Sequence, residues 1–278
     1  MLGRIAIHLS SDKSCERRID VGLRLAREHG AEVIGIYPTD DLVGHFYDES
    51  FIPHDAREAL HLRQQDQRTA SCERFMEKAK AAGVKAQWRL PRGDAEEALC
   101  LHARYCDLII MSKADAIDNP SGIIPNRAET VIMASGRPVL MVPAIGTMDT
   151  LGQRILYCWD QKREAARAFS DATPLLKKCK ELVVLEIDRD DAGLAERDIR
   201  ENDFVDYCTT LGYPKPTRLV RSSTDIGVGN VILNTATDTG SDLIVMGTYG
   251  HSRMRQWVMG GASRTLLSTM TVPLLMSH

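Results

Sequence analysis

The chain has 278 residues, with 35 Lys and Arg against 38 Asp and Glu, a formal net charge of −3 and a sequence pI near 6.3. At 44% hydrophobic and 26% charged it has the composition of a folded globular protein. The length suits one large domain or two small ones, and the lack of a basic excess argues against a broad nucleic-acid-binding surface. No apolar run approaches the ~18 residues of a membrane helix. Met1-Leu2-Gly3-Arg4-Ile5-Ala6-Ile7 lacks the long apolar stretch and cleavage site of a signal peptide. Cysteines stand at 15, 72, 100, 106, 158, 179 and 208 with no C-x-x-C pair, so zinc-finger and disulfide frameworks lose their main support. The expectation is a cytoplasmic protein with reduced thiols, no membrane span and no nucleic-acid partner.

In chain order, β-branched runs predict strands at Ile5–Leu9, Glu32–Tyr37, Val84–Leu90, Leu108–Ser112 and Val139–Val142. Helical stretches between them cover Cys15–His29, Arg57–Ala82, Asp94–Tyr105 and Asn126–Ser135. A second series follows. Strands fall at Ile155–Trp159, Leu182–Ile187, Thr217–Arg221, Leu243–Gly247 and Pro273–Met276; helices fall at Arg163–Lys178, Gly193–Leu211, Asn230–Thr239 and Gly261–Thr269. Strands separated by single helices run parallel, with right-handed crossovers. Leu243-Ile244-Val245-Met246 is apolar without alternation, as a strand covered on both faces should be.

The two series are one unit written twice. Arg4-Ile5-Ala6-Ile7-His8-Leu9 aligns with Arg154-Ile155-Leu156-Tyr157-Cys158-Trp159 at an offset of 150, and Asp107-Leu108-Ile109-Ile110-Met111 aligns with Asp242-Leu243-Ile244-Val245-Met246 at 135. The offset falls because the first half carries extra residues between Tyr37 and Arg57. The seam lies near Ala144 to Gly152, giving domains at 1–145 and 152–278. The expected fold class is α/β: two Rossmann-like doubly wound domains, each a five-stranded parallel sheet flanked by helices. Ligands of such sheets bind beyond the carboxyl ends of the strands, at the switch point.

That rule directs attention to Gly247-Thr248-Tyr249-Gly250, which follows a strand, and to Gly260-Gly261-Ala262-Ser263, which opens a helix nine residues later. Glycine lets backbone approach a ligand closely, and the free amides of a helix start bind anions. No Asp or Glu occurs after Asp242, whereas Arg253, Arg255 and Arg264 lie in that stretch, a charge balance suited to a polyphosphate. Ordinary loop punctuation followed by a capped helix produces the same spacing.

The G-x2-G-x9-G spacing of Gly247, Gly250 and Gly260 resembles the nucleotide-binding signature of universal stress proteins. Val272-Pro273-Leu274-Leu275-Met276 resembles that family's last strand, and Arg92-Gly93-Asp94-Ala95-Glu96-Glu97-Ala98-Leu99 its stretch after the third strand. The chain therefore looks like a tandem universal stress protein. The resemblance implies that ATP, with or without Mg, binds in the C-terminal domain. An Asp after the first strand, here Asp160, would contact the nucleoside, and Met246, Gly247, Gly250, Gly260, Gly261, Ala262 and Ser263 would hold the phosphates. Where the family has Ser or Thr after the third glycine this chain has Gly261, with Ser263 the hydroxyl two residues on. Asp160 could equally cap the helix near Arg163.

The first half departs from the pattern: Ser112, Asp115 and Pro125 replace the three glycines and Ser10 replaces Asp160. Pro125 has no N–H to donate, so the first domain is expected not to bind ATP in the family's manner. The insertion from Pro38 to Asp55 holds His45, Asp48 and His54 without metal-ligand spacing, and suits a ligand-covering loop better than a metal site. No metal site and no catalytic residue is assigned. Lacking a G-x-x-x-x-G-K-[ST] loop, the chain fits a nucleotide-dependent signalling or protective module. The alternatives are a slow ATPase or nucleotidyl-transfer enzyme, and an interaction module for an apolar metabolite or protein. The resemblance also implies that the two domains pair within the chain through Val139–Val142 and Pro273–Met276, with a homodimer as the other arrangement.

Overall fold

In the computed structural model the chain divides into two compact units, Met1–Arg137 and Pro138–His278. Residues 1–38, 54–113, 127–146, 148–188, 202–248 and 261–278 are described.

The first unit carries strands β1 (Arg4–His8), β2 (Glu32–Ile36), β3 (Ala86–Arg89) and β4 (Leu108–Met111), all parallel, in the order β3-β2-β1-β4. Its helices are α1 (Cys15–His29), α2 (His54–Ala81), α3 (Ala95–Ala103) and α4 (Arg127–Ala134). Ile5, Ile7, Ile109 and Ile110 are fully buried, each contributing roughly 1.5–3 kcal/mol. Gly22 allows α1 to lie directly on β1, since a Cβ there would run into the Ile7 side chain. Asp94 caps α3, accepting from the Glu97 amide at 2.8 Å.

The second unit repeats the pattern. Its strands are β5 (Val139–Met141), β6 (Arg154–Cys158), β7 (Glu181–Ile187), β8 (Thr217–Arg221), β9 (Leu243–Gly247) and β10 (Leu274–Ser277), in the order β5-β10-β9-β6-β7-β8. All pair in parallel except β5, which is antiparallel to β10 through Leu274↔Met141 and Met276↔Val139. The segment read from sequence as the fifth strand of the first repeat thus adds to the second unit's sheet. Helices are α5 (Arg163–Asp171), α6 (Thr173–Leu176), α7 (Asp203–Thr210), α8 (Val228–Asp238) and α9 (Gly261–Thr269). The single helix expected over Arg163–Lys178 is two. The chain breaks at Ala172, and Pro174 sits in the first turn of α6, where its missing N–H costs no bond.

At the amino ends of the strands both units use the same ties. Asp107 accepts from the amides of Gly3 and Arg4 at 2.7 and 3.0 Å, and Asp242 from those of Gln153 and Arg154 at 3.1 and 3.0 Å. Across neighbouring strands Arg4 pairs with Glu32, and Arg154 with Glu181. Among the described residues no helix is long and apolar enough to cross a membrane, and all seven cysteines are free thiols. The α/β doubly wound class is as expected.

Candidate functional site

β6 and β9 are adjacent and parallel, with Ile155 beside Leu243 and Tyr157 beside Val245. Continuing that register places Trp159 and Asp160 alongside Gly247 and Thr248 at the carboxyl ends. This is the switch point of the second unit, because the neighbours β7 and β10 lead away on opposite sides.

Asp160 is exposed. Its Oδ1 accepts from the Lys162 amide at 3.1 Å and its Oδ2 pairs with Lys162 Nζ at 3.4 Å. The carboxylate therefore shapes the turn into α5 and still faces water with free acceptor capacity. Gln161 follows with φ of 61°, a left-handed conformation that turns the chain into the helix. Burial, and then the charge of Asp160, push the neighbouring Cys158 thiol up to about 12, away from the thiolate form.

Met246 is buried and Gly247 closes β9. Gly247 lies against the first turn of α5: a Cβ on it would stand 2.6 Å from the Glu164 carbonyl oxygen, with the Ala165 amide nitrogen also in collision range. Next, the buried Thr248 donates from its amide and its hydroxyl to the Ser277 carbonyl at 2.9 and 3.1 Å, locking the end of β9 to β10. Glu164 is buried. Burial raises its pKa, but the hydrogen bond from Arg163, its own amide and the charges of Arg163 and His278 outweigh that and hold it below the ordinary carboxylate range.

Gly261, Ala262 and Ser263 form the opening turn of α9, so their amides have no intrahelical acceptor. No acidic residue lies in that turn. Gly261 is exposed with open space around it, and Ser263 is buried. Gly250 and Gly260 lie outside the described residues, as do Arg253 and Arg255, the insertion residues His45 and Asp48, and Asp115 and Pro125 of the first half. Of the expected site residues, Asp160, Met246, Gly247, Gly261, Ala262 and Ser263 are therefore the ones placed.

One positioning residue, Gly229, escaped the sequence analysis. Gly227 enters α8 with φ of 79°. Gly229 lets α8 touch α9: a Cβ there would lie 2.9 Å from Thr265 Cβ and 3.1 Å from the Ala262 carbonyl oxygen. Gly229 is the second residue of α8, and the expected helix began only at Asn230, so the spacing gave no sign of its packing role.

The matching position of the first unit is filled by a side chain. Arg18, on α1, is fully buried. Its Nε donates to the His8 carbonyl at 2.7 Å, Nη1 to Asp12 Oδ1 at 3.0 Å and to Ser112 Oγ, and Nη2 to Ser10 Oγ at 2.7 Å and Asp12 Oδ2 at 2.8 Å. Desolvation works against the Asp12 carboxylate, but the Arg18 hydrogen bonds and charge prevail and lower its pKa. Burial, then the charges of Arg18 and Arg127, push His8 down to about 3, and both of its ring nitrogens are buried without a partner. The sequence signal was an arginine on the apolar stripe of α1, one turn from Cys15 and Gly22. Among the described residues no three His, Cys, Asp or Glu come together as metal ligands.

Residues 1–143 and 209–278 match the universal stress protein family. No curated protein matches the chain. A universal stress protein from Archaeoglobus fulgidus DSM 4304 is 17% identical over 99% of this chain and 95% of its own, with a TM-score of 0.75. A functionally unknown protein from Pseudomonas aeruginosa PAO1 is 15% identical over 99% and 92%, with a TM-score of 0.58. A universal stress protein solved in complex with cAMP is 17% identical over 51% of this chain and 96% of its own, with a TM-score of 0.36. The glycine signature, the doubly wound units and a family match spanning most of the sequence lead to one conclusion: the chain belongs to the universal stress protein family.

Proposed function

We propose that the second unit binds an adenine nucleotide, ATP foremost, and that its occupancy makes the protein a nucleotide-dependent signalling or protective module. The observation that supports this is the parallel pairing of β6 with β9, with the exposed Asp160 two residues after β6 and Gly247 the last residue of β9. Asp160 would accept from ribose hydroxyls or the adenine amino group. Gly261, Ala262 and Ser263 would offer amides at the positive end of the α9 dipole, joined by Gly250 and Gly260 of the sequence motif. The donor set suits the group: α9 opens with no acidic residue in its first turn and with open space at Gly261. Bound nucleotide would supply a polyphosphate anion and a purine face. Such a ligand shifts the protein only as far as it prefers one conformation over another.

Calorimetry on the full chain tests it. One ATP per chain is expected, with affinity lowered roughly 10–100-fold by Asp160→Ala, the loss of one charged hydrogen-bond partner. Saturation with no heat at millimolar ATP overturns it. A phosphate-release assay with Mg separates binding from slow hydrolysis.

A further inference from the structure

The strand ends of the first unit present a charge-assisted network with no unused donor. A guanidinium has five N–H groups in a fixed fork, and each of Arg18's finds an acceptor in His8, Ser10, Asp12 or Ser112. The acceptors come from three places: the end of β1, the loop after it, and the residue that follows β4. Ser112 stands where the second unit has Gly247, and Ser10 where it has Asp160. The residue matching Arg18 in the second unit is Ala168, which is buried and has no polar side chain.

We infer that Arg18 is the resident ligand of the first unit: the residues at its strand ends form a guanidinium-binding site that the chain fills from its own helix, closing that position to nucleotide. A phosphate brought there would find the guanidinium donors already engaged and the Asp12 carboxylate repelling it. The groups facing the guanidinium are consistent with a cation site. Asp12 lies on it as a bidentate anion, His8 offers its carbonyl, and two hydroxyls complete the fork. This rests on the strand ends being the ligand position of the fold, and it stands whether or not the second unit binds ATP.

Two measurements on the full chain test it. In 15N-arginine NMR of the unmodified protein, Arg18 should show separate, slowly exchanging Nη protons at pH 7, because rotation about its C–N bonds would break bonds on both nitrogens. An Arg18 guanidinium that rotates freely overturns the inference. Second, Arg18→Ala leaves the Asp12 charge without its partner and should lower the melting temperature by about 10 °C. Ethylguanidinium, which restores the deleted atoms, should recover at least a third of that loss with saturable concentration dependence. Ethylammonium at equal ionic strength should not, and neither compound should move the unmodified protein. Equal effects of both cations, or none, overturn the site. Should Arg18→Ala fail to fold, Ser112→Ala gives the decision: it should loosen Nη1 alone in the same NMR experiment, and unchanged exchange there counts against the network.

Discussion

Gly247 at the end of β9 and Glu164 in the first turn of α5 meet backbone to backbone, so closely that a Cβ on Gly247 would lie 2.6 Å from the Glu164 carbonyl oxygen. The first motif glycine thus has a packing duty of its own, apart from any ligand. Gly247→Ala should destabilise the second unit by about 1–3 kcal/mol, the usual cost of overpacking. Gly261→Ala, by contrast, meets open space in a helix and should be neutral or stabilising by up to about 1 kcal/mol. Urea unfolding of the two variants checks the contrast; equal effects would refute it.

Gly229 should matter to ligand binding without touching ligand. A methyl group there presses on Ala262 and Thr265 and displaces the opening turn of α9. Gly229→Ala is expected to weaken ATP binding several-fold and to lower stability by about 1 kcal/mol or more. Calorimetry together with thermal melting reads both, and unchanged affinity would detach α8 from the site.

Asp160→Asn separates the two duties of that side chain. An amide oxygen can still accept from the Lys162 backbone, so the turn into α5 persists, while the charge and its Lys162 partner are lost. The unfolding midpoint should stay within about 0.5 kcal/mol of the parent, as for other exposed positions, while nucleotide affinity falls. A large loss of stability would make Asp160 a structural residue instead.

The first unit should lose stability in mild acid. His8 is held neutral in the folded chain, far below the 6.5 of an unperturbed imidazole, by burial and then by Arg18 and Arg127. The unfolded chain therefore binds a proton that the folded one refuses. The contribution is whole above pH 6.5 and drains as pH falls from there toward about 3, at up to about 1.4 kcal/mol per pH unit. His102 has the same sign, lowered by burial and by Arg89, whose Nη1 donates to its Nδ1 at 3.2 Å. Asp12, held below 3.8, keeps its contribution until the pH drops past that value. Urea midpoints between pH 7 and 4 should fall in the parent and flatten in part in His8→Leu; an unaltered slope in that variant would exonerate His8.

Much of the architecture was legible in the residues. The α9 limits, Gly261–Thr269, follow from glycine and small-residue punctuation, and the unbroken apolar runs of β1, β4 and β9 give parallel, two-sided burial. What stayed hidden depends on distant partners. The Ala172 break was missed because amphipathic spacing runs on through it, although Pro174 marks it. That β5 sides with the second unit turns on its pairing with β10, about 135 residues later, which no local pattern encodes. At the candidate site, Asp160 and Gly247 were readable by position. Arg18 was readable only as an arginine on the apolar stripe of α1; one of four arginines on that helix gives no sign that two strand ends will close around it.

Asp107 and Asp242 clasp strand-start amides at the opposite pole of each unit, the same tie in both. The foundations are alike in both units, down to the paired Arg4–Glu32 and Arg154–Glu181, while the rims differ, one holding a buried arginine and one a solvent-facing acid. A unit anchored in this way can change the residues of its mouth at little risk to the scaffold beneath, since the bonds that anchor the scaffold lie a full strand length away.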